Sequence, residues 1–144
     1  MKKTEYTAFI IAHIALFTVF VWFGALKLFG LSPATPLVTD LFNNTLGLFV
    51  PFTADAFIVI LGALEVLIGL FFIIPRMERL ALVLLVPHMI TTVLPLFLLP
   101  AVTWSGFFVP TLEGQYIIKN VVIIALAVMV FADMNKKRNR AAIY

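Results

Sequence analysis

The sequence holds no cysteine, which excludes structural disulfides, thiolate-bound zinc, iron–sulfur ligation and any dithiol relay carried by this chain. Charge is scarce as well. Only 12% of the 144 residues are Asp, Glu, Lys or Arg, against roughly 25% in a soluble domain. No internal repeat, low-complexity tract, linker or cofactor motif is visible, so a single domain, residues 1–144, is expected, with no metal site. What fills the chain instead is apolar: 63% of it is hydrophobic and its mean hydropathy is +1.14. A water-soluble fold of this length buries only about two thirds of its surface. The excess apolar residues therefore need lipid as their solvent.

Gaps between charges locate the spans, each needing roughly 20 helical residues to cross a hydrocarbon core of about 30 Å. Between Glu5 and Lys27 the one ionisable side chain is His13, which predicts a first helix over 8–29. Asp55 and Arg76 bracket a second over 56–74, interrupted by Glu65 alone. A third, over 80–99, lies in a stretch without Asp, Glu, Lys or Arg that reaches Glu113, and a fourth is expected over 115–132, before Lys136-Lys137-Arg138-Asn139-Arg140. These segments are apolar all round, the pattern of membrane spans rather than of amphipathic soluble helices. The fold class is thus all-α, a four-helix integral membrane bundle.

Orientation follows from the basic residues, which collect in cytoplasmic loops. Lys2, Lys3, Arg76, Arg79 and the Lys136–Arg140 cluster all fall on one side of a four-span chain. The two loops on the other side, 30–55 and 100–114, contain no Lys or Arg. Cytoplasmic N and C termini in a bacterial-type inner membrane are expected. The apolar run behind Lys2 and Lys3 exceeds the roughly 7–15 residues of a signal-peptide core, so cleavage is not expected. The basic clusters read as topology anchors with some attraction for anionic lipid, and no nucleic-acid partner is expected. In the first outer loop Pro36 can open a short helix through Leu41 and Phe42, ended by Asn43-Asn44 and Pro51 and lying at the interface. Trp104, Phe107 and Phe108 in the second suit headgroup depth.

Polar groups inside the spans are the chemical candidates, since a charge at the membrane centre costs at least about 2.5–3.5 kcal/mol and needs partners. Glu65 lies mid-span, with Gly62 and Gly69 on the same helical face, where small residues admit a neighbouring helix. His13, Phe17, Phe20, Gly24 and Lys27 form a stripe on the first helix. Lys27 near the outer end of that stripe, and Lys119 with Asn120 early in the fourth span, place two cations and one carboxylate in the outer half of the bundle. Either lysine can reach Glu65. On the third helix Pro87 and Pro95 free the carbonyls of Val83 and Thr91, and with His88, Thr91 and Thr92 they give a kinked polar face that must point into protein or a cavity. His88 suits a quinone oxygen, a proton relay or a metal, but a lone membrane histidine is more often a hydrogen-bonded packing residue, which is the favoured reading here. Bis-histidine haem needs His13 and His88 at one depth, whereas His13 lies nearer the cytoplasmic face; haem is not expected.

Gly24-Ala25-Leu26-Lys27 closing the first span, Leu64-Glu65-Val66-Leu67-Ile68-Gly69 in the second, Arg76–Arg79 after it and Ile118-Lys119-Asn120 opening the fourth together resemble the DoxX-like membrane proteins. The resemblance runs along nearly the whole chain in order and spacing. It implies a four-helix membrane bundle and, from the better understood relatives, a membrane subunit of a thiosulfate:quinone oxidoreductase or a part in oxidative-stress systems. Other relatives imply receptor assembly instead. Lys27, Glu65, Lys119 and Asn120 are the positions it carries over. The lead-in Thr111-Leu112-Glu113-Gly114-Gln115 is more similar to a subgroup feature than to thiosulfate-linked members.

Two functions stay open at this level. One is a redox-linked subunit that binds quinone or another small ligand in an outer-half pocket, with a soluble partner carrying the electrons. The other is a non-catalytic assembly, binding or permeability protein whose buried charges only lock the helices. A transporter with four spans and no repeat would need a homo-oligomer.

Overall fold

A computed structural model describes residues 3–141, with side chains for 4–136. In chain order the elements are α1 (Lys3–Leu28), α2 (Thr35–Asn44), a 3-10 turn (Leu46–Leu48), α3 (Ala54–Ile73), α4 (Glu78–Val93), α5 (Pro95–Leu98), α6 (Pro100–Thr103), strands β1 (Trp104–Gly106) and β2 (Val109–Pro110), α7 (Leu112–Lys119) and α8 (Val121–Ala141). Four helical stretches are long and apolar enough to cross a membrane: Thr4–Leu28, Ala54–Ile73, Glu78–Leu98 and Leu112–Lys136.

These stretches depart from the charge gaps at their ends. The first helix starts at Lys3 rather than 8, and the fourth runs from Leu112 to Ala141 rather than over 115–132. Lys, Arg and Glu are good helix formers, so a helix need not stop where its apolar stretch does. The Lys137–Arg140 side chains and Lys2 lie outside the described residues. The third and fourth stretches are also interrupted. Leu94 joins α4 to α5 in helical conformation (φ −50°, ψ −40°) although Pro95 has no N–H to donate. Asn120 joins α7 to α8, its N–H turned to the Ile117 carbonyl at 3.1 Å.

Sharp chain reversals have identifiable local causes. Gly30, at φ +69°, ends α1 with paired bonds from Gly30 N–H to Lys27 O and from Leu31 N–H to Leu26 O, the Schellman arrangement. Between α3 and α4 the Met77 N–H reaches the Ile74 carbonyl at 3.1 Å around Pro75-Arg76, with Arg76 at φ 70°. Proline followed by a positive φ is the type II pattern, whose second central position ordinarily falls to glycine. At the opposite end of the bundle, Thr53 caps α3 and Thr111 caps α7, each through its hydroxyl. The outer-loop helix expected from Pro36 is α2, which reaches Asn44. The hairpin of β1 and β2 was not expected; its tip, Phe107-Phe108, is 93% and 79% exposed.

The helices close a ring in the order α1, α3, α4, α8, with α1 against α3 as the most intimate pair. Glycine explains that intimacy. A Cβ on Gly24 would stand 2.7 Å from the Gly62 carbonyl oxygen, and one on Gly62 would stand 2.8 Å from Lys27 Cβ. Without aqueous hydrophobic driving force, such backbone-to-backbone packing is what holds membrane helices together. Towards the termini the core is Ala12, Leu16 and Phe20 of α1, Ile68 and Phe72 of α3, Ala81, Leu85 and Met89 of α4, and Ala127 and Val130 of α8. The fourth span is the least enclosed, with 17% of its window buried against 28–33% for the others. At the loop-rich end α2 lies across α3 and α5 and buries Leu41 and Phe42.

Gly62→Ala is expected to lower stability by about 1–3 kcal/mol, because the clash is with backbone and a Cβ rather than a flexible side-chain end. Arg76→Gly is expected to raise it by about 1 kcal/mol by relieving the left-handed conformation. Thermal unfolding in one detergent measures both, and an unchanged or more stable Gly62→Ala protein would contradict the close α1–α3 contact.

Candidate functional site

Glu65 sits on the α3 face that carries Gly62 and Gly69, so the close approach of α1 brings Lys27 within reach. Lys27 Nζ donates to Glu65 Oε2 at 2.7 Å. From α4, His88 Nε2 lies 3.4 Å from the other carboxylate oxygen, Oε1. All three residues are closed off, with 6%, 6% and 5% of Lys27, Glu65 and His88 exposed. The Phe20 ring meets the His88 ring edge-on at 5.5 Å and walls the cluster on the side of the termini.

Proton assignments follow from these contacts. A charge-assisted bond of 2.7 Å at this burial fits an ammonium and a carboxylate. The carboxylate faces Nε2, so a proton on that nitrogen would point to it and leave the lone pair on Nδ1. Among the described residues Nδ1 has no hydrogen-bond partner, although it is buried. A buried polar atom without a partner costs about 1–3 kcal/mol. The cluster therefore has a complete ion pair and one vacant acceptor.

The other expected positions lie apart from it. Lys119, on α7, is exposed and its Nζ stands 5.4 Å over the Tyr116 ring, so it does not join Lys27 around Glu65. Asn120 is half-buried at the α7–α8 junction. Two cations do not converge; one does. Thr91 and Thr92 are half-buried, but both hydroxyls donate to the His88 carbonyl at 2.8 and 2.9 Å, so their protons are already used within their own helix. His13 is held at the other end of α1, its Nδ1 donating to the Phe9 carbonyl at 2.8 Å and its ring against Phe9 and Phe72. Seven residues, about 10 Å of helix, separate it from the Phe20 that His88 touches. The two histidines are not brought together, and no group of three or more His, Asp or Glu among the described residues is placed to hold a metal ion.

Compared with protein-family models, curated proteins and solved structures, the chain matches none.

The sequence offers His88 and Glu65 to one pocket but carries no signal for their direct contact, which depends on how α4 is rotated against α3. Phe20, in the stripe with Lys27, is the residue whose role as a wall is legible only once α4 is in place.

Removing one charge of the pair leaves the other buried and alone, so Lys27→Met and Glu65→Leu are each expected to destabilise by on the order of 3 kcal/mol, whereas the double variant is expected to fall within about 1 kcal/mol of the parent. Lys119→Met is expected to leave the melting temperature unchanged. Thermal unfolding of the four proteins checks this, and additive losses in the double variant would contradict the pairing.

Proposed function

We propose that the chain is a multi-pass inner-membrane subunit of a redox-linked system, with both termini cytoplasmic, and that it binds a quinone or a similar small ligand at Lys27, Glu65 and His88. The observation that supports this best is the unpartnered Nδ1 of His88 beside a charged carboxylate. His13 Nε2 is likewise buried without a partner among the described residues, but only at His88 does such a nitrogen stand beside the ion pair. The DoxX-like motifs fall in with this reading, since Lys27 and Glu65 are among the positions that carry the resemblance.

The residues present fit such a ligand. A quinone supplies the capacity to take up electrons and protons in equal number. His88 Nδ1 would hold such a ligand by accepting a hydrogen bond from a ring hydroxyl. Glu65 orients the imidazole through Nε2, and Lys27 keeps Glu65 in place. Electrons come from a partner protein, because this chain has no cysteine to ligate a cluster and no cofactor motif.

One observation favours a second reading, a non-catalytic assembly or binding protein. The Lys27–Glu65 bond lies at the close α1–α3 contact, against Gly62, where a lock between the two helices is effective. Mass spectrometry of small molecules extracted from gently purified protein separates the two. Stoichiometric quinone in the native sample, absent from Glu65→Gln and His88→Ala, is the expected result. Bulk lipid alone in every sample, with variants that only unfold sooner, favours the lock.

A further inference from the structure

Whether anything reaches the cluster depends on what surrounds it, and three of its sides are closed. Towards the termini, Leu16, Ile68, Phe72, Ala81, Leu85 and Val130 are each 3% exposed or less and form a dry septum across the bundle. A polar solute would have to cross several apolar layers there. At the loop-rich end α2 lies over the helix ends, with Phe42 buried and in ring contact with Phe52 and Phe57 at 5.6 and 5.2 Å. Between α1 and α3 the backbones touch at Gly24 and Gly62, leaving no room for even a methyl group.

Of the other seams of the helix ring, the one between α4 and α8 lies in the least enclosed part of the bundle. It opens into a groove of about 360 Å³ lined by Met89, Ile90, Val93, Leu94, Phe97 and Ile124, all apolar. The groove runs along the stretch between Pro87 and Pro95, where missing backbone donors weaken the helix. Met89 links groove and cluster. It follows His88 directly in the chain, belongs to the buried core and lines the groove.

We infer that the ligand of the cluster is an amphiphile dissolved in the bilayer: a ring head bearing hydroxyl or carbonyl groups on a hydrocarbon tail, entering between α4 and α8 and resting its tail in this groove. The inference builds on the reading of Lys27, Glu65 and His88 as a ligand site. The unpartnered Nδ1 selects a hydrogen-bonding head, and the wholly apolar lining selects a tail. A water-soluble anion is disfavoured, since it would have to pass the septum or displace α2. Lipid tails are as apolar as the groove, so a tail moving into it gains packing rather than hydrophobic free energy. Its position, more than its affinity, is therefore the informative quantity.

The test is photo-crosslinking in vesicles of a single phosphatidylcholine, using a benzoquinone with a ten-carbon tail ending in a diazirine. A phosphatidylcholine bearing the same diazirine serves as the comparison, and binding of tail-less benzoquinone is measured by equilibrium dialysis. Tailed-quinone adducts are expected to concentrate on residues 89–97 and Ile124, and to fall about tenfold in Ile124→Trp, while tail-less benzoquinone still binds that variant. Val93→Phe narrows the same groove from α4 and is read in the same way should Ile124→Trp fail to fold. Adducts spread like those of the phospholipid and unaffected by either variant, with tail-less benzoquinone still bound, would overturn the lateral route and leave the ligand site standing. Failure of the native protein to retain either quinone overturns both.

Discussion

A lysine ammonium and a glutamate carboxylate 2.7 Å apart inside an apolar bundle set the terms for the rest of this structure. Neither ion is tolerable there alone, so the helices that carry them must meet at one register and stay there. The glycines at 24 and 62 make that approach possible, and the approach places Lys27 over Glu65. Cause and effect run both ways between packing and charge. A bulkier α1–α3 contact would part the ions, and without the ions α1 and α3 would be free to slide by a turn.

Around this pair the bundle is unequal. One half is a close-packed apolar core from Ala12 to Phe20 and from Ile68 to Phe72, with His13 satisfied on one ring nitrogen by its own helix. The other half holds the ion pair, His88, the threonines folded back on the His88 carbonyl, and the α2 cover. Such a division suits a site served from one side or from within the bilayer, and does not suit a path across it. The seam at α8 is loose where the α1–α3 contact is tight.

Much of this was legible in the residues. Charge gaps located four spans because ions and hydrocarbon exclude each other, and the ends missed only because helices run on into charged flanks. Glu65 with Gly62 and Gly69 announced the buried face. The identity of its partner was open because Lys27 and Lys119 lie at similar depth, and depth says nothing about rotation about a helix axis; the Gly24–Gly62 contact turns Lys27 inward, while Lys119 stays over Tyr116. The threonines were expected to enrich a polar face, yet a helical hydroxyl can always reach a carbonyl three or four residues back. The β1–β2 hairpin had no signal, since its strands are very short and its turn places Phe108, not glycine, at φ 57°.

Chain order adds a consequence for biogenesis. Lys27, Glu65 and His88 belong to the first three spans, and α8 contributes nothing to their pairing. If the spans enter a bilayer in chain order, the ammonium of α1 would be in place before the carboxylate of α3 follows, so the most costly insertion would meet its counter-ion. The residues of the polar cluster would all be present before α8 is made.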